Sequence, residues 1–226
     1  MIWLSLAMAN PCLPGPRAVL PMGPRTVEFA DRAWSVHKSS IVPVGAGPNR
    51  WSDSEQAVAV HDSELILTLV QEGAGWSSAE LSVPLENRPN ELQFDVWSED
   101  LDSQAIAGIF MARDDSCEID VELGRWGIAD ADNAQFALAP ATPDLVHRFD
   151  SPSGWVTYRI RWRRRGLTWT ASTEAGVFAR WRVRGAQVPR YDDHRLHVNL
   201  WLRQGSSPAG DGAVRVRVRD LVVSAR

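Results

Sequence analysis

The sequence predicts an all-β protein, a two-sheet antiparallel sandwich or jelly roll. Three observations predict it. Short runs alternating between apolar and polar residues recur along the chain, the period-2 mark of half-buried strands. Clusters of Gly, Pro, Asp and Ser separate most of these runs, as turns separate the strands of a sandwich. No window of ten or more residues carries a convincing helical period free of Gly and Pro. No repeat of fixed period is present.

Taken in order, residues 1–25 read as a leader and linker. Residues 1–9 are apolar and end in Ala7-Met8-Ala9, like a small-residue cleavage site, but lack a basic n-region. A signal peptide whose start lies upstream and a poorly ordered tail both fit. Pro11, Pro14, Pro16, Pro21 and Pro24, with Gly15 and Gly23, make the remainder a linker. Residues 26–226 are expected to form one sandwich domain. Runs 57–61 and 65–70 flank Asp62-Ser63 and read as a hairpin. Runs 76–83, 91–97 and 105–111 follow, then an acidic strand and 134–138. Runs 155–162 and 167–171 meet at Arg164-Arg165-Gly166, a second hairpin candidate. Runs 177–183, 195–202 and 214–223 complete the series.

Composition excludes several classes. The chain has 226 residues, 44% hydrophobic and 23% charged, as an ordinary globular protein has. Net charge is −4 and the pI near 5.7, which argues against general affinity for nucleic acid or anionic membranes. No stretch approaches the ~20 apolar residues of a membrane span. Of 24 basic residues, Lys38 alone is not arginine. Arg159, Arg161 and Arg163 alternate along one run and Arg215, Arg217 and Arg219 along another. Such stripes read as the solvated outer face of a sheet, or as a surface that attracts an acidic polysaccharide. Eleven tryptophans serve core packing or sugar stacking. The two cysteines, Cys12 and Cys117, cannot build a disulfide framework. Cys117 reads as a buried free thiol facing the core. No nucleophile elbow, phosphate loop or His-Glu-x-x-His motif is present, and the histidines form no zinc pattern.

The chemistry concentrates in Glu118-Ile119-Asp120-Val121-Glu122. In a strand, successive side chains point to opposite faces. Glu118, Asp120 and Glu122 therefore share one face, and Ile119, Val121 and Leu123 share the other. Like charges so close push their pKa values apart. At ~3.4 Å rise per residue, Cα atoms four apart lie roughly 13–14 Å apart. Two glutamates leaning together bring their carboxyls to about 5–7 Å, and a retaining glycosidase uses roughly 5–5.5 Å. Asp120 between them could hydrogen-bond either one. A solvated acidic strand and a carboxylate calcium site fit the same spacing.

The acid triplet resembles the active-site signature of glycoside hydrolase family 16, in the form found in lichenases. The resemblance runs over roughly residues 34–223. It includes Gly-Pro-Asn-Arg-Trp-Ser at 47–52, Gly-Trp-Ser-Ser-Ala-Glu at 75–80 and Gly-Ile-Phe at 108–110. It continues with Arg-Trp-Gly at 125–127, His-Arg-Phe at 147–149 and Val-Asn-Leu-Trp-Leu at 198–202. The family pattern departs after the signature, where lichenases have aromatic-Leu-Gly and this chain has Leu123-Gly124-Arg125-Trp126-Gly127.

The resemblance implies a concanavalin A-like jelly roll with the acids on the concave face of one sheet. It implies that Glu118 is the nucleophile, Asp120 the assisting residue and Glu122 the acid/base. Glu80, Asn199 and Trp201 are the implied sugar-binding residues. Trp76 and Trp126 are stacking candidates, with core positions as the alternative, and His147 and Arg148 are weaker candidates. No cofactor is implied. A structural calcium is compatible with the family, but no ligand set is evident. The expected partner is a polysaccharide or oligosaccharide, with no nucleic acid, for a secreted monomer. A carbohydrate-binding or lectin-like domain on the same sandwich is the alternative function, and a calcium-binding adhesion domain a weaker one.

Overall fold

The computed structural model describes residues 22–39, 48–114, 116–139, 141–191, 193–210 and 214–225. The chain opens with β1 (Met22–Phe29) and β2 (Arg32–His37), then β3 (Val58–His61), β4 (Glu64–Thr68), β5 (Val70–Glu72) and β6 (Gly75–Ser77). β7 (Ala79–Pro84), β8 (Pro89–Ser98), β9 (Ala105–Asp114), β10 (Cys117–Gly124) and β11 (Ala134–Leu138) follow. The last strands are β12 (Val146–Phe149), β13 (Gly154–Arg163), β14 (Gly166–Thr173), β15 (Gly176–Arg184), β16 (Arg195–Leu202) and β17 (Arg215–Ala225). Among the described residues the helical elements are three short 3-10 turns.

Two antiparallel sheets form the sandwich. One runs β1-β2-β7-β16-β9-β10-β11-β12, the other β15-β14-β13-β8-β17-β4-β3, and β5 pairs with β6 in a small ribbon. The core lies between the large sheets. Leu81, Ile109, Val121, Phe136 and Val198 come from the first sheet, and Leu65, Phe94, Tyr158, Trp169 and Val218 from the second. Each fully buried aliphatic or aromatic side chain contributes about 2 kcal/mol of transfer free energy. Phe136 meets Trp169 across the interface, with ring centroids 6.3 Å apart. Trp34, Trp51, Trp162 and Trp169 are buried, so core packing takes part of the tryptophan excess.

Both expected hairpins are present. His61 pairs with Glu64 around Asp62-Ser63, and Arg163 pairs with Gly166 around Arg164-Arg165. The expected leader differs at its end. β1 begins at Met22, and Arg25 Nη1 donates to the carbonyls of Asp53 and Ser54 at 3.1 and 3.0 Å. Residues 1–21, with the cleavage-like motif, lie outside the described residues. Cys117 is wholly buried with Sγ 3.5 Å from His194 Nε2. It is not the free thiol expected: it is disulfide-bonded. The only other cysteine of the sequence, Cys12, falls in the expected leader.

Candidate functional site

β10 crosses the eight-stranded sheet between β9 and β11. Ile119, Val121 and Leu123 enter the core, and Glu118, Asp120 and Glu122 occupy the outer face. Register extends each acid into a row across the sheet. Glu122 stands beside Gly108 of β9, then Asn199 of β16 and Glu80 of β7. On its other side come Gln135 of β11 and Arg148 of β12. Asp120 continues through Phe110 and His197 to Ser82, and Glu118 through Ala112 to Arg195.

The acids differ in environment. Asp120 is 7% exposed, and its Oδ1 has no hydrogen-bond partner. Burial, then the charges of Glu118 and Glu122, push its pKa well above the usual carboxylate range. Glu122 is partly exposed at the residue level. Burial of its carboxyl raises its pKa, opposed by a hydrogen bond from Gln135 Nε2 to Oε2 at 2.5 Å and by the charge of Arg148. Glu118 is also partly exposed. Both raised groups favour the protonated carboxyl, the form that donates a proton.

Glu80 is 2% exposed and gathers the polar side chains beside the acids. His197 Nδ1 lies 2.9 Å from its Oε1, and Asn199 Nδ2 donates to Oε2 at 3.4 Å. His37 Nδ1 stands 3.3 Å from Oε1, while its Nε2 meets Ser82 Oγ at 3.0 Å. His197 stacks on Phe110 with ring centroids 4.8 Å apart. Asn199 is 4% exposed, and its Oδ1 lacks a partner. Gly108 makes room for it, because a Cβ there would lie 2.6 Å from that oxygen.

Trp201 is two residues beyond Asn199 on β16, on the same face, opposite Ile106 of β9. Asn49 pins the end of this strand: its Nδ2 donates to Leu202 O at 2.8 Å and its Oδ1 accepts from Leu202 N at 3.1 Å. Trp126 follows β10 with φ of 50°, an outlier for so bulky a residue. Arg148 covers its ring at 4.1 Å from the centroid. Trp76 lies in the β5–β6 ribbon opposite Gln71 and packs partly against the core. His147 stacks toward Trp181 and Phe136 on the core side, while its neighbour Arg148 faces the acids.

Glu118, Asp120, Glu122, Glu80 and Asn199 thus meet on one face, with Trp201 and Trp126 toward one end. The sequence reading missed Gln135, His197, His37 and Arg195, whose closeness to the acids depends on register between distant strands. The one signal for Gly108 was the Gly-Ile-Phe segment. Among the described residues no group of three or more His, Cys, Asp or Glu side chains is placed to hold a metal ion. No helix among them is long and apolar enough to cross a membrane.

No family model matches the sequence, and no curated protein matches it. Solved structures do resemble it. The β-glucanase of Bacillus licheniformis superposes with a TM-score of 0.65 at 14% identity, over 85% of this chain and 92% of its own. A glycoside hydrolase family 16 endo-glucanase from Bacteroides ovatus, in complex with G4G3G-2F-DNP, gives 0.62 at 15% identity, over 86% of this chain and 97% of its own. An immunostimulatory antigen and pseudo β-1,3-glucanase of Mycobacterium tuberculosis gives 0.61 at 18% identity, over 94% of this chain and 96% of its own. The chain therefore has the sandwich fold of the glycoside hydrolase family 16 glucanases.

Proposed function

We propose that this protein is a retaining, endo-acting glycoside hydrolase or transglycosylase of β-linked polysaccharides such as β-glucans. The observation that carries the reading is the acid triplet on the outer face of a central strand, with Asp120 and Glu122 pushed toward their protonated forms. Glu118 attacks the anomeric carbon while Glu122 protonates the leaving oxygen. The glycosidic C–O bond breaks and an ester to Glu118 forms. Glu122, now a carboxylate, takes a proton from water as the water attacks the ester and frees Glu118. In transglycosylation a sugar hydroxyl replaces that water. Asp120 lies between the two, and its raised pKa, from burial and then the charges of Glu118 and Glu122, limits the negative charge stacked on the strand.

The Glu122 row supplies substrate contacts. Glu80 and Asn199 bind sugar hydroxyls, with Asn199 Oδ1 free to accept. Trp201, and the face of Trp126 that Arg148 leaves open, offer stacking surfaces to pyranose rings. The positive φ of Trp126 supports this role, because backbone strain concentrates at ligand sites. Trp76, in the ribbon that leads into β7, is the remaining stacking candidate. Gln135 and Arg148 hold Glu122 in place. No cofactor enters these steps, and the protein is taken to act on its glycan outside the cytoplasm as a monomer.

The test is release of reducing ends from a panel of β-glucans, galactans and xyloglucan, followed by assay on an activated aryl β-glycoside. Glu118→Ala should abolish turnover, and azide should then yield a glycosyl azide of inverted configuration. Glu122→Ala should spare activated substrates, and azide should yield the retained product. Wild-type turnover in both variants refutes the assignment. The second reading is a non-catalytic carbohydrate-binding protein, favoured by the like-folded pseudo β-1,3-glucanase. Glycan binding without cleavage by the unmodified protein decides for it.

A further inference from the structure

The outer face of the seven-stranded sheet carries a charged patch that the acid rows do not use. β13, β14 and β15 lie side by side at one edge of this sheet. Their registers align three rows. Arg159 stands opposite Thr170, and Thr170 opposite Arg180. Arg161, Thr168 and Arg182 form the next row, and Arg163, Gly166 and Arg184 the last. Two files of arginine thus flank a file of small residues. Strands lie ~4.8 Å apart and residues two apart on a strand ~6.8 Å apart, so the files stand about 10 Å apart and the rows about 7 Å apart. The result is a trough with basic walls and a floor of two threonines and a glycine.

The charge in the trough is largely uncompensated. Glu91 serves the β13 file, at 3.4 Å from Arg159 and 2.5 Å from Arg161. Among the described residues Arg163, Arg180, Arg182 and Arg184 have no ion-pair partner, and all four are exposed. Arg164 and Arg165, in the turn beside the last row, are exposed too. The chain as a whole carries −4, so this positive charge is segregated from an acidic remainder. Unpaired guanidinium groups packed this closely repel one another, and sheet stability does not explain their alignment.

We propose that this trough binds a linear uronic-acid polysaccharide, lying along the strands on the sheet opposite the acid triplet. A guanidinium takes a carboxylate through two parallel hydrogen bonds, and a polyuronate presents one carboxylate per sugar along a single chain. Threonine hydroxyls on the floor exchange hydrogen bonds with the sugar hydroxyls between. A single-stranded nucleic acid fits less well, because binding it calls for ring faces on which bases stack. Trp97 and Trp155, on β8 and β13, are covered by Arg217 and Arg219, the latter 3.8 Å from the Trp155 centroid, and the exposed Phe178 of β15 is a single ring beyond the Arg180 end of the file. An anionic membrane fits less well because the floor has no apolar side chain to insert.

The experiment is affinity electrophoresis of the full chain at low salt through gels containing polygalacturonate or neutral dextran. Parallel titrations use a thymidine oligonucleotide and phosphatidylserine vesicles. Polygalacturonate is α-linked, so cleavage by the proposed β-glycosidase does not enter the readout. The expected result is retardation by polygalacturonate and not by dextran, abolished by salt. The triple variant Arg180→Thr, Arg182→Thr, Arg184→Thr should weaken binding by about tenfold or more, and Arg182→Thr alone by less. Threonine is at home on an edge strand, and an unchanged melting temperature confirms folding. Hydrolysis of a small aryl β-glycoside should not change in these variants, and Glu118→Ala should leave polygalacturonate binding intact. No retardation, retardation unaffected by both variants, or tighter binding to the oligonucleotide or the vesicles overturns the proposal. The catalytic reading stands or falls separately.

Discussion

Asp120 bears the greatest electrostatic cost at the site. Its pKa is raised above the unfolded value, so between the two values the folded chain holds the proton and the unfolded chain does not. Stability from this group is therefore complete below the unfolded pKa and declines as pH rises through the folded one. Asp120→Asn removes the charge that has to be buried. It should raise the melting temperature at pH 8, with a gain that shrinks toward pH 4, while turnover falls and its pH optimum moves. Thermal melts at pH 4, 6 and 8 check this, and a lower midpoint at pH 8 would refute it. Gly108 is a second sensitive residue. Gly108→Ala forces a Cβ toward Asn199 Oδ1, so activity should drop at least about tenfold while the melting temperature falls only slightly, by a destabilisation of about 1–2 kcal/mol. Wild-type kcat/KM in this variant would show that the position of Asn199 is immaterial.

At the scale of elements, two turns show which signals local sequence carries. Asp62 and Ser63 have φ of 47° and 64°, the signs a two-residue type I′ turn requires. Asp marks that turn, and the hairpin is legible. Ala30 and Asp31 link β1 to β2 with φ of 51° and 56°, yet Ala seldom adopts positive φ. The β1–β2 hairpin therefore has a weak local signature, and the first half of β1 falls within the expected linker of residues 1–25. The same chemistry yields a prediction. Ser63→Gly creates Asp-Gly, the favoured I′ pair, and should stabilise by about 1 kcal/mol. Ser63→Val should destabilise by a similar amount. Urea midpoints measure both, and a loss of stability with glycine would contradict the turn assignment.

At the scale of the whole molecule, His37 ties the β2 side of the acidic sheet to the rows beside the acids. Burial lowers its pKa below the ordinary histidine value of 6.5, against the pull of Glu80 and with the help of His197 and Arg195. The sign is opposite to that of Asp120. The unfolded chain takes up the proton first as pH falls. The contribution is full above pH 6.5 and is lost as pH falls through the folded value. His37→Gln should flatten the decline of melting temperature between pH 7 and pH 5. An unchanged slope would mean that other groups control acid stability. The charge balance also acts at this scale: the arginine files of β13 and β15 sit on one sheet and the acid triplet on the other, a polarity hidden by the net charge.

The sequence by itself determined the sandwich, because strand alternation is local and has period 2. The same period placed Glu118, Asp120 and Glu122 on one face and brought Asn199 and Trp201 together on another strand. It also predicted the hairpins at Asp62-Ser63 and Arg164-Arg165. Tertiary structure alone decided which strands are neighbours. Glu80 and Asn199 are 119 residues apart, and no periodicity within either segment specifies their pairing. Gln135 and Arg148 reach Glu122, His197 reaches Glu80, and three arginine rows line up only through inter-strand register. That register follows from burying both inner faces at once, a condition on the whole chain. The pKa values of Asp120 and Glu122 are of the same kind: two carboxyls on one strand acquire their shifts from the depth of burial set by the surrounding strands.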